Sequence, residues 1–206
     1  MRKVSSILVA ASLLLVVQSY AAPSDGIFSG YTQLTLNGGP AQWYALVANG
    51  GTLSNLQSAN LGNVSSLFIT GGEADTYKSG TSDITSADLN WRVWQVTPSG
   101  SFTTVALGWT SDSPFNDAAG TTDSGTGDQK WAQLASSQNV LTGLTIGQTY
   151  TLDVYLHASA NDGNLYLNNG DGSNYRATFT VIPEPSTMLL VGFGLMGAMA
   201  LRRRKV

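Results

Sequence analysis

Two close carboxylates, a lone histidine, loops dense in Asp and Asn, and a pair of tryptophans three apart are the residues of this chain that bear on chemistry. Glu73 and Asp75, in the run GGEADTYK, are the most compact acid pair. Two residues apart on a strand they would share a face, and a glycosidase needs only two carboxylates at a suitable separation. The competing reading, which we take as the expectation, is a polar turn leading into Tyr77 and Lys78. His157 is the only histidine. Alternation along 149–158 puts Tyr150, Leu152, Val154 and Leu156 on one face and Asp153, Tyr155 and His157 on the other, so His157 is expected to face solvent. There is no Gly-x-Ser-x-Gly elbow to supply a nucleophile, and one histidine without cysteine does not make a closed zinc site. We therefore assign no catalytic residue and no required metal.

Calcium is the one cofactor the composition admits. The segments 117–128 and 161–171 gather Asp, Asn and backbone carbonyls on Gly-rich loops, and Asp123, Asp128, Asp162 and Asp171 are the candidate oxygen ligands. Neither segment matches an EF-hand loop, and Asp and Asn also serve simply as turn residues. Trp91 and Trp94 point to opposite faces if their strand is regular. Trp91 groups with Leu89 and Val93 and is expected in the core, whereas Trp94 shares the polar face with Asn90 and Arg92. A ring beside polar groups suits sugar stacking, so the candidate glycan-binding residues are Trp94, Arg92, Tyr155, His157 and Asp153; the competing reading has a second sheet cover this face or Trp94 pack under the long loop.

The elements that position these residues read as short strands. Apolar and polar residues alternate over 28–36, 42–48, 65–70, 89–97, 102–109, 130–134, 149–158, 164–167 and 175–181, separated by Gly, Asn, Asp and Ser clusters. The middle of the chain shows no long helical period, so the expected fold is all-β: one antiparallel β-sandwich over residues 22–182, in jelly-roll or related topology. The run from Leu144 to Tyr150 resembles a tyrosine corner, in which a Tyr entering a strand bonds back to the preceding loop. The polar stretch 110–129 is expected to be a surface loop.

The two ends have a different character. Residues 1–21 carry Arg2 and Lys3, an apolar run over 7–17 and the small residues Ser19 and Ala21, the three regions of a secretory signal peptide. Signal peptidase is thus an expected partner, cutting after Ala21. At the other end, 187–201 is uncharged and, as a helix, about 22 Å long against a hydrocarbon core of about 30 Å. Arg202, Arg203, Arg204 and Lys205 follow it; their long stems can reach the headgroups, and they mark the cytoplasmic side. Before it, Pro183 and Pro185 hold Glu184 on an extended, non-helical segment. This ending, residues 183–206, resembles the PEP-CTERM sorting signal of exported bacterial proteins. The resemblance implies that an exosortase, a membrane enzyme with a cysteine nucleophile, recognises Pro183, Glu184 and Pro185 and removes the helix, releasing the protein from the membrane to the cell surface or extracellular matrix. It also implies an association with exopolysaccharide and biofilm.

Charge narrows the classes further. Between the two ends lie four basic and twelve acidic residues, a net charge of −8, which is the wrong sign for a nucleic-acid binder. No cysteine is present, so neither disulfides nor thiolates contribute. The expectation is a non-enzymatic surface or matrix protein whose middle domain serves the matrix, either by binding glycan or as a structural component. The alternatives are a protein-adhesion or self-assembly module and a carboxylate-dependent glycan hydrolase or lyase.

Overall fold

The computed structural model describes residues 25–47, 52–134, 136–170 and 173–184, all of them in strands, turns and connecting loops. In chain order the strands are β1 (Asp25–Leu36), β2 (Gln42–Ala45), β3 (Ser54–Asn55), β4 (Ala59–Val64), β5 (Leu67–Lys78), β6 (Ile84–Trp94) and β7 (Thr103–Asp112). There follow β8 (Phe115–Asn116), β9 (Thr122–Asp123), β10 (Asp128–Leu134), β11 (Gln138–Asn139), β12 (Thr149–Ala160), β13 (Gly163–Leu167) and β14 (Tyr175–Val181). The all-β expectation holds, but the two layers are halves of one continuous sheet. Its path runs β3-β2-β1-β5-β10-β7-β6-β12-β14-β4, with β11 added to β5 and β13 to β12. Pairing is antiparallel except between β14 and β4 and between β2 and β3.

This sheet curls until it is nearly a barrel, and glycines mark where the layers meet. A Cβ on Gly30 of β1 would collide with Leu156 of β12 and Leu167 of β13, and one on Gly72 of β5 would lie 2.7 Å from Leu89 of β6. A strand without side chains at these points is what lets the opposite layer close. The core between the layers holds Leu34, Ile69, Ala74, Leu89, Trp131, Leu152, Val154, Leu156 and Phe179. Leu89 is fully buried, with Trp91 and Val93 packed against the same cluster, as the alternation along β6 requires. Tyr150 makes the expected corner: its hydroxyl accepts the Thr145 N–H at 3.0 Å, and its ring stacks on Phe179.

Two expectations need correction. The run GGEADTYK is not a turn but the second half of β5, paired with β1 on one side and β10 on the other. Its inward positions, Gly72, Ala74 and Thr76, are small because the opposite layer approaches closely, so the hydrophobic alternation that signals a strand is missing. The polar stretch 110–129 is not a free surface loop. It carries the end of β7, the β8–β9 hairpin and the start of β10, and it folds across the outer face of β1, β5 and β10, burying Phe115.

Candidate functional site

Two polar clusters lie on the outside of the sheet. The first sits between β5 and the β8–β9 hairpin. Register places Tyr31 opposite Glu73, and Ser29 and Lys130 on either side of Asp75, all on the outward face. A polar outward row would ordinarily meet water, yet Glu73 is 2% exposed and Asp75 0%, because the hairpin covers them. Glu73 accepts the Ala118 N–H at 2.7 Å on one oxygen and pairs with Lys130 at 2.9 Å on the other. Lys130 also donates to the Asn116 carbonyl at 2.7 Å, so these two side chains pin the hairpin to the sheet.

The hairpin returns two acids of its own. Asp117 accepts the Tyr31 hydroxyl at 2.6 Å and the Thr121 N–H at 2.7 Å. Asp75, Asp117 and Asp123 each bring a carboxylate oxygen within 4.8 Å of the others. Both oxygens of Asp75 and Oδ2 of Asp123 are buried without a hydrogen-bond partner. Burial, reinforced by the Glu73 charge, pushes the Asp75 carboxyl up to about 8. Burial also raises Glu73, offset by Lys130, and raises Asp123, where Asp117 and Asp128 add to it.

Of the four calcium candidates read from sequence, only Asp123 enters this cluster. Asp128 lies at the start of β10, outside the group of three. Asp162 is outside the group as well, with Ser82 Oγ 3.1 Å from it and 2.8 Å from Asp25. Asp171 lies outside the described residues. Asp117 opens the segment 117–128 but was not named among the four, and Asp75 was not considered because it sits in a segment read as a turn.

The second cluster is the outer face of β6, β12, β13 and β14, where the candidate glycan residues do come together. Register sets Asp153 between Arg92 and Arg176, Tyr155 beside Asn90, and His157 between Asp88 and Tyr166. Asp153, expected at the solvent, is 0% exposed. Arg92 holds one of its oxygens at 2.9 Å, and Arg176 approaches the other at 3.5 Å. A buried carboxylate needs such partners to stay charged. Arg92 also lies 4.2 Å over the Phe102 ring, and Arg176 lies 5.4 Å over Trp94, so the guanidinium partly covers the Trp94 ring. His157 does share the outer face as expected, but it is half-buried: Nδ1 is 3.2 Å from Asp88 and the ring packs at 5.0 Å on Tyr166. Tyr155 meets Phe102 edge-on at 4.9 Å, and its hydroxyl is raised chiefly by burial. Tyr166, with 55% of its surface exposed, is the open end of this row and was not singled out from sequence. A Tyr on a short hairpin strand with Gly163 and Asn164 carries little signal on its own.

The C-terminal motif begins where the sheet ends. Val181 closes β14, the Ile182 N–H donates to the Val64 carbonyl at 2.9 Å, Pro183 is half-buried and Glu184 is exposed. Residues 181–205 match the family model of the PEP-CTERM protein-sorting motif. The tail is a PEP-CTERM sorting signal. Such a tail supports an exported protein sorted by an exosortase. Among curated proteins nothing matches the chain. Pro185, the apolar stretch and Arg202, Arg203, Arg204 and Lys205 lie outside the described residues, as does the expected signal-peptidase site at Ala21. Among the described residues no helix is long and apolar enough to cross a membrane.

Proposed function

We propose that this is a non-enzymatic protein of the cell surface or extracellular matrix, delivered there by signal peptidase and exosortase processing, whose β domain contacts exopolysaccharide. The observation that carries the glycan reading is the aromatic row Phe102, Tyr155, Tyr166 and His157, open to solvent at Tyr166 and flanked by hydrogen-bonding Asn164 and Asp88. Rings with polar neighbours stack on the apolar faces of sugars and bond their hydroxyls. Against the hydrolase alternative stands the burial of Glu73 and Asp75 beneath the hairpin.

Binding of the full chain, held in detergent, to the producing organism's exopolysaccharide tests this. Saturable binding is expected, weakened roughly tenfold, or about 1.4 kcal/mol, by Tyr166→Ala. Trp94→Ala, beneath Arg176, is expected to weaken it less. Absence of binding by a folded chain would move the domain to the adhesion or self-assembly class.

A further inference from the structure

We propose that Asp75, Asp117 and Asp123 form a calcium site that locks the β8–β9 hairpin onto the outer face of the sheet. It is independent of the glycan reading. Acids clustered at a surface mean little, but Asp75 is 0% exposed and neither of its oxygens has a hydrogen-bond partner among the described residues. One of them lies within 4.8 Å of an oxygen of Asp117 and of an oxygen of Asp123, and the buried Oδ2 of Asp123 lacks a partner too. A buried carboxylate left unbonded is costly, and a cation among these oxygens would remove that cost.

Among the described residues no side chain fills that role. Four carboxylates, Glu73, Asp75, Asp117 and Asp123, meet one ammonium, that of Lys130, and it is engaged by Glu73 and the Asn116 carbonyl. The three oxygens lie within 4.8 Å of one another, close enough to share one cation. All-oxygen ligation by carboxylates suits a hard cation, and calcium's loose geometry tolerates ligands drawn from a strand and a hairpin.

The supporting contacts are those of a metal site. Tyr31 and the Thr121 N–H each hold one oxygen of Asp117, and Glu73 holds the Ala118 N–H beside it. Hydrogen bonds of this kind orient ligating carboxylates, and losing one commonly weakens a metal site roughly 10- to 100-fold.

The test is calcium titration of the full chain in detergent after chelator treatment, followed by calorimetry and thermal unfolding. One calcium per chain is expected, with a dissociation constant on the order of 10⁻³ M or tighter and a Tm that rises with calcium. Asp123→Asn should weaken binding roughly tenfold or more, and Tyr31→Phe by a comparable factor, while Asp162→Asn leaves it unchanged. If Asp123→Asn does not fold, terbium emission excited through Tyr31 reads the same site, and Tyr31→Phe should abolish it. A folded wild type without a Tm shift at about 10 mM calcium would overturn the proposal. So would Asp123→Asn binding as wild type does, terbium emission unchanged by Tyr31→Phe, or magnesium binding as tightly as calcium.

Discussion

Asp75 is surrounded by Glu73, Asp117, Asp123 and Lys130, and with its carboxyl raised to about 8 it holds a proton in the folded chain that the unfolded chain has lost. An unfolded Asp titrates near 4, so between about pH 4 and 8 unfolding releases this proton and stability falls as pH rises, levelling above 8. In chelator, the urea midpoint of the wild type should therefore drop from pH 4.5 to 8 more steeply than that of Asp75→Asn, which keeps the shape of the protonated acid. Parallel curves would mean that Asp75 is ionised throughout. The sequence made Glu73 and Asp75 visible as a pair, because their spacing puts them on one face whenever the segment is extended. It could not show that the face is closed, since the covering acids Asp117 and Asp123 belong to a hairpin whose docking depends on Lys130, Glu73 and Tyr31 together. The same holds for Asp153: alternation placed it on the outer face, and only the arginines from two neighbouring strands bury it.

At the scale of the strand, β5 was legible over its first half, where buried Leu67 and Ile69 alternate with half-buried Phe68 and Thr70, and illegible over its second half, where glycine and alanine face inward. The cause is the approach of the opposite layer, a tertiary fact that replaces large apolar residues by small ones. Gly30 on β1 is the other half of that closure, with Leu156 and Leu167 against the place its Cβ would occupy. Gly30→Val should thus cost about 1–3 kcal/mol by overpacking, read as a lower urea midpoint with an unchanged m-value. A neutral result would show that β1 can retreat from β12 without loss. By contrast, β14 was readable to its last residue because buried Tyr175, Ala177, Phe179 and Val181 alternate without a break, and the Tyr150 corner was readable because it joins residues five apart.

At the scale of the molecule, the sheet and the sorting signal are joined with no slack. Val181 donates to Gln148, Ile182 donates to Val64, and Pro183 follows at once, so the residues ahead of the motif are held by the sheet up to its edge. A protease that grips an extended substrate needs free backbone on both sides of its recognition motif, and here the preceding side is engaged by β4 and the loop before β12. Roughly six Gly and Ser residues inserted after Ile182, spanning about 13 Å as a flexible coil, would free that side without touching the core. The Tm should then stay constant while tail removal in the producing cells, followed by mass, becomes faster. An unchanged or slower rate would show instead that the strand end itself presents Pro183 and Glu184 in the form the enzyme takes, making the folded domain part of the recognised substrate rather than its passenger.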